Sequence, residues 1–308
     1  MSERYLKTFR LLLHVIILVI GLGGATRAMN AGLACPDWPL CFGKFIPDYH
    51  PQVYFEFIHR ALAGAMGVFT VLMFGKILTN KNISKNIKMT GFLALVIYGV
   101  QVAMGALTVL KLLEPGYVTT HLVLGIGFLS LMLWIYLSLP KSVKISMNKN
   151  DRKSMPAPRW VVFGGIIVLM VVSLQIVLGG KVASNYAGLA CSVDFPLCLG
   201  KLVPTLEGLV GLHVMHRLGA YLTLLTVIMF FTFLNLSQVR VLQPRIVQTS
   251  RILITLVLVQ VALGIANIKF FLPALITVLH TMLAAGIVAT VVLIIFLALN
   301  GEDYSKST

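Results

Sequence analysis

Seven histidines, four cysteines and ten acidic residues are few enough in this chain to be weighed one at a time. Imidazole is a metal ligand, and a cysteine pair can be a thiol, a disulfide or a metal site. The histidines that stand in pattern are His59, His121, His216 and His280. Cys35 and Cys41 precede the first two, and Cys191 and Cys198 precede the second two. Glu56 lies three residues before His59, a spacing that puts both on one face of a helix.

The pattern is a repeat. Gly32-Leu33-Ala34-Cys35 recurs as Gly188-Leu189-Ala190-Cys191, an offset of 156 (188 − 32). Pro39-Leu40-Cys41 recurs as Pro196-Leu197-Cys198, Gly43-Lys44 as Gly200-Lys201, Pro47 as Pro204, and His59-Arg60 as His216-Arg217. Val100-Gln101-Val102-Ala103-Met104-Gly105 recurs as Val259-Gln260-Val261-Ala262-Leu263-Gly264, and His121 matches His280 at the same offset of 159 (280 − 121). The order is kept and the drift is small, so the chain is two copies of one unit.

The elements that carry these residues are membrane spans. Of 308 residues, 58% are apolar and 11% charged, against about 45–50% and 25% in a soluble domain. That excludes a soluble enzyme, a disordered chain and a disulfide-rich miniprotein. Eight apolar runs are long enough to cross a bilayer, near 10–28, 53–78, 89–111, 117–139, 160–182, 209–236, 249–270 and 273–299. The first carries no convincing cleavage site and reads as a retained helix. The expected fold is an all-α integral membrane protein of eight transmembrane helices, arranged as two pseudo-symmetric four-helix bundles. Residues 1–140 form one half, 141–159 a linker and 160–308 the other half. The net charge of +15 reads as topology and not as a nucleic-acid surface. Lys and Arg gather at the N-terminus, in 76–88, in the middle loop (Lys141, Lys144, Lys149, Arg152, Lys153, Arg159) and in 237–251. That face is cytoplasmic by the positive-inside rule, with both termini on it and the cysteine loops outside the cell membrane.

All four patterned histidines then lie one or two turns below the outer surface, on alternate spans with the same direction. Two imidazoles at one depth can face each other across a bundle and grip a porphyrin iron from both sides. The pairs are His59 with His121 and His216 with His280. A merely structural hydrogen bond would explain one such histidine better than four. His14 has no counterpart and reads as structural, and His50 as a solvated loop residue. Arg60 and Arg217 follow the ligands and suit either porphyrin propionates or lipid headgroups. Glu56 aligns with His213, so only the first half has a carboxylate beside its pocket. Burial there would favour its neutral form and leave it able to exchange protons. The alternative is a structural ion pair with Arg27 or Arg60. The cysteine pairs read as short disulfides in an oxidising compartment, structural or redox-active, with a shared four-cysteine zinc site as the other option.

The segment Gly32 to Cys41, the run Glu56-x-x-His59-Arg60, His121 and the repeated second half resemble the heme A synthase family, over about residues 10 to 299. The resemblance implies an enzyme that oxidises one methyl group of heme O to a formyl group by successive hydroxylations. It implies that His59 and His121 hold the substrate, that Glu56 is the catalytic carboxylate, that His216 and His280 ligate a heme b, and that Cys35 and Cys41 form a functional disulfide. It also points to heme O synthase as a pathway partner and to a membrane electron acceptor, and leaves an oligomer open. The rival reading is a diheme b-type cytochrome that only transfers electrons. It explains the histidines equally well, but not a carboxylate confined to one half.

Overall fold

A computed structural model of the chain describes residues 3–144 and 156–301. Lys149, Arg152, Lys153 and most of the expected linker lie outside the described residues. Among those described, the elements are α1 (Glu3–Ala28), α2 (Pro51–Thr79), α3 (Lys85–Leu110), α4 (Pro115–Lys144), α5 (Arg159–Ser184), α6 (Gly208–Leu236), the one-turn α7 (Val239–Leu242), α8 (Pro244–Lys269) and α9 (Ala274–Asn300). All but α7 are long and apolar enough to cross a membrane. The boundaries have local causes. Pro51 and Pro244 open their helices, where a missing N–H costs nothing. Ser84 caps α3 by accepting from the Ile87 N–H. Gly301, at φ 70°, ends α9. The first helix starts seven residues earlier than its apolar run (10 − 3). Its polar opening turns are anchored, because Phe9 is fully buried and the Tyr5 hydroxyl donates to the Met73 carbonyl at 2.8 Å.

In the first half α1 packs on α2 and α4, and α3 packs on α2 and α4, closing a ring of four. In the second half α5 packs on α6 and α9, and α8 on α6 and α9, in a ring of the same design. The rings meet through α1 on α9, α4 on α5 and α4 on α9. The aliphatic and aromatic core that seals them includes Phe74, Ile77, Phe128, Met132, Ile135, Leu139, Val161, Leu234, Ile246 and Val291, each almost wholly buried. Most of these lie toward the ends of the helices away from the cysteine loops. The histidines sit at the other ends, half-buried.

Glycines set the approach of the rings. A Cβ on Gly24 of α1 would lie 3.6 Å from Thr281 of α9, and one on Gly180 of α5 would lie 3.0 Å from Thr119 and 3.4 Å from Leu122 of α4. The α3–α4 and α8–α9 turns are equally alike. Leu112 and Leu113, and Phe271 and Leu272, all adopt positive φ, an unusual conformation for bulky residues. Leu113 lies over Gly32, and Leu272 over Gly188. The glycine of each Gly-Leu-Ala-Cys segment is therefore where the cysteine loop docks on the neighbouring turn.

Candidate active site

The cysteines come first along the chain and build the roof. Cys35–Cys41 and Cys191–Cys198 are disulfides, with Cα–Cα distances of 4.8 and 4.7 Å. No described cysteine is free, which disposes of a shared four-cysteine zinc site. Each loop makes the same short backbone bridge, Cys41 to Lys44 and Cys198 to Lys201. In the first loop Asp37 accepts from the N–H groups of Phe42 and Gly43 at 2.7 and 2.8 Å. The Gly43 N–H does most to hold its carboxyl below the usual carboxylate range, with the Phe42 N–H and Arg60 adding to it.

Beneath the roof, α2 and α4 bring His59 and His121 together, as their positions in sequence require. Their ring centroids are 6.5 Å apart and their planes 81° to one another. Two imidazoles on opposite faces of one iron need centroids about 6.4 Å apart. That follows from bonds of about 2 Å and about 1.2 Å from each nitrogen to its ring centre. The remaining nitrogens are engaged. His59 Nδ1 lies 3.1 Å from the Val19 carbonyl, and His121 Nδ1 lies 3.0 Å from the Gln101 carbonyl. A carbonyl accepts only from N–H, so both rings carry the proton on Nδ1 and the lone pair on Nε2, as an iron ligand must.

Each of the four candidate ligand rings also rests on a glycine of a neighbouring helix. A Cβ on Gly23 or Gly105 would lie 3.0 Å from His59 Cε1 or 2.8 Å from His121 Cε1. On Gly179 or Gly264 it would lie 2.9 Å from His216 Cε1 or 3.3 Å from His280 Cε1. Gly105 and Gly264 stand in the repeat, but none of the four was read from sequence as touching a histidine. Their signal was there, since Gly23 matches Gly179 at offset 156 (179 − 23) and Gly105 matches Gly264 at 159 (264 − 105).

The second pocket differs in its polar contacts. The Gln175 side-chain amide lies 2.9 Å from the His216 carbonyl and 3.1 Å from His216 Nδ1. Its own Oε1 is buried without a partner, as is Nδ1 of His280. Gln260 donates to the His280 backbone carbonyl at 3.1 Å. His213, where the first half has Glu56, is 4% exposed with Nδ1 unpartnered.

Glu56 is 3% exposed. One oxygen accepts from the Cys35 N–H at 2.8 Å and the other from Arg60 at 2.5 Å. The ion pair weighed against a neutral carboxyl is thus formed, and with Arg60 only. Arg27 instead donates to the Ala183 carbonyl and lies 4.0 Å over the Tyr186 ring. Arg60 also donates to the carbonyls of Asp37, Leu40 and Cys35. It ties the disulfide loop to the carboxylate on α2. Arg217 makes one such bond, to the Leu197 carbonyl, and its Nε and Nη2 are buried without partners. Of the other two histidines, His14 Nδ1 bonds the Arg10 carbonyl one turn back, and His50 is exposed at the start of α2. A surface cleft lined by residues such as Phe42, Tyr49 and His50 lies over the first loop and touches none of the four ligand candidates.

Comparison with known proteins bears on this arrangement directly. The COX15-CtaA family model, described as cytochrome oxidase assembly protein, matches residues 8–53 and 48–292. A heme A synthase of Shewanella oneidensis is 30% identical, covering 92% of this chain and 94% of its own length. The chain belongs to the heme A synthase family. Other members similar to it are the heme A synthases of Symbiobacterium thermophilum, 28% identical over 88% of each chain, and of Halalkalibacterium halodurans, 28% identical over 96% of this chain and 97% of the other. Family membership makes it a multi-pass membrane enzyme of heme biosynthesis, in agreement with its eight spans.

Proposed function

We propose that this protein oxidises a methyl group of heme O to a formyl group, giving heme A, in the pocket between His59 and His121. The observation that carries this is the pairing of two imidazoles at iron-ligating separation, 6.5 Å, next to a buried carboxylate that the second pocket lacks. The rival, a cytochrome that only transfers electrons, has no use for that asymmetry.

His59 and His121 would hold the substrate iron through Nε2 and so fix the macrocycle across the bundle. Oxidising a porphyrin methyl develops positive charge on its carbon. Glu56 stabilises that charge or accepts a proton from the attacking water. Two of the carboxylate's lone pairs are taken by Cys35 N–H and Arg60, and about two remain for this work. The loop bonds of Arg60 keep the carboxylate from turning away.

His216 and His280 suit a resident heme b, which when bound supplies one-electron redox chemistry. The glycine behind Cε1 of each ring fits this assignment, because it fixes where the two imidazoles stand. Arg217, with two unpartnered nitrogens, is better placed than Arg60 to receive a propionate. Heme O synthase would supply the substrate, and a membrane carrier would remove electrons. The termini and basic connections lie on the cytoplasmic side, and both disulfide loops lie outside.

Pigments extracted from wild type and Glu56→Gln, produced with a heme O supply, test the reading. The variant is expected to keep heme b and to stop making the formyl porphyrin. Unchanged formyl product would remove Glu56 from the chemistry, and heme b as the only pigment of the wild type would favour the cytochrome.

A further inference from the structure

Among the four ligand candidates, His121 alone has a side-chain partner recorded at the nitrogen that would face iron. Gln101 Nε2 lies 3.4 Å from His121 Nε2, while the backbone carbonyl of the same residue takes the His121 Nδ1 proton at 3.0 Å. The two contacts agree on one tautomer. With the proton on Nδ1, Nε2 is an acceptor, and the glutamine N–H is its donor. The equivalent residue of the second half behaves otherwise, because Gln260 gives its amide N–H to the backbone carbonyl of His280. Gln101 Oε1 is buried with no partner, so the amide is not held in place by its oxygen.

We propose that Gln101 makes His121 the releasable ligand of the first pocket, by offering its Nε2 lone pair a hydrogen bond in place of the iron. This rests on the reading that the first pocket takes the substrate heme. The exchange changes no oxidation state and moves no proton. One iron–nitrogen bond opens, one N–H···N bond closes, and Nδ1–H stays on the Gln101 carbonyl throughout. The ring is already braced for it, with Gly105 behind Cε1 and the same residue grasping both nitrogens. An iron held by two histidines has no room for a further ligand. A pocket in which the released nitrogen has a hydrogen-bond donor to turn to gains that room, and a pocket without one does not. Gln101 is therefore a positioning residue that separates a reactive site from a permanent one, although the two share their ligand set.

The test uses the full-length protein loaded with heme O and reduced, and titrates carbon monoxide against wild type, Gln101→Leu, Gln101→Asn and Gln260→Leu, following the absorption change. A neutral hydrogen bond contributes about a factor of five to such an equilibrium. Both Gln101 variants should bind carbon monoxide about five-fold more weakly at unchanged heme content, because His121 stays on the iron. Gln260→Leu should match wild type. Carbon monoxide affinity unmoved in the Gln101 variants, or moved equally by Gln260→Leu, overturns the proposal. Loss of heme O from both Gln101 variants also overturns it, by making the residue part of the pocket's framework. Absence of heme O from the wild-type first pocket is a different outcome, and refutes the functional reading itself.

Discussion

Replacing Gly179 with alanine isolates the glycine floor under His216, the proposed heme b ligand. The new methyl would stand 2.9 Å from His216 Cε1, against ordinary contact from 3.4 Å outward, so the ring must recede by about 0.5 Å. It has little freedom to do so, because Gln175 bonds both its backbone carbonyl and its Nδ1 side. Overpacking of this kind costs about 1–3 kcal/mol. Applied to the ligand ring, that is a loss of about 5- to 150-fold in heme affinity. Alanine's better helix propensity, up to about 1 kcal/mol, favours the fold and not the ligation. At Gly264 the same methyl would be 3.3 Å from His280 Cε1, a displacement of only about 0.1 Å. The assay is heme b per mole of purified protein, from the reduced-minus-oxidised spectrum, with Gly286→Ala as control because, beyond its own stretch of helix backbone, nothing lies within 4 Å of its Cβ position. Heme b should fall in Gly179→Ala, fall less in Gly264→Ala and stay level in Gly286→Ala. Full heme b in Gly179→Ala, or a larger loss from Gly264→Ala, would refute the idea that these glycines set ligand position.

Separate substitutions should part the two pockets. His216→Ala or His280→Ala should lower heme b, and His59→Ala or His121→Ala should lower bound heme O with heme b retained, read by chromatography of extracted hemes. Asp37 gives a pH signature. Its carboxyl is held low chiefly by the Gly43 N–H, so the loop order it contributes is present above the unfolded carboxylate value, about 3.9, and is lost as pH falls through the lower folded value. Amide exchange at Phe42 and Gly43 should be faster in Asp37→Asn than in wild type at neutral pH, and the difference should vanish below the folded value. A difference that persists in acid would show that the carboxylate's charge is not the cause.

The spans, the duplication and the ligand candidates were legible because each leaves a mark in one dimension: a run length, an offset or a residue type. What stayed hidden was rotation about the helix axes. A membrane helix is apolar on every side, so its pattern does not say which side faces inward. Arg60 was left open between a propionate, lipid headgroups and an ion pair with Glu56, and the structure forms the ion pair, at the i, i+4 spacing. Gln175 and Gln101 could not be assigned to particular ring nitrogens, because that depends on how α5 meets α6 and α3 meets α4. The glycines were visible as repeated letters, but a missing side chain announces a contact only once the neighbour is known. The early start of α1 lies in polar sequence, and α7, Val-Arg-Val-Leu, is too short to show a period, so tertiary anchoring rather than hydropathy sets both boundaries.

The contacts of Gly24 with Thr281 and of Gly180 with Leu122 have a further consequence. Gly24 and Gly180 are counterparts at 156 (180 − 24), and Leu122 and Thr281 at 159 (281 − 122). One surface therefore meets itself, patch i on patch j and patch j on patch i, which is the signature of an isologous dimer. The seam between the halves thus has the geometry of an isologous subunit interface carried within one chain.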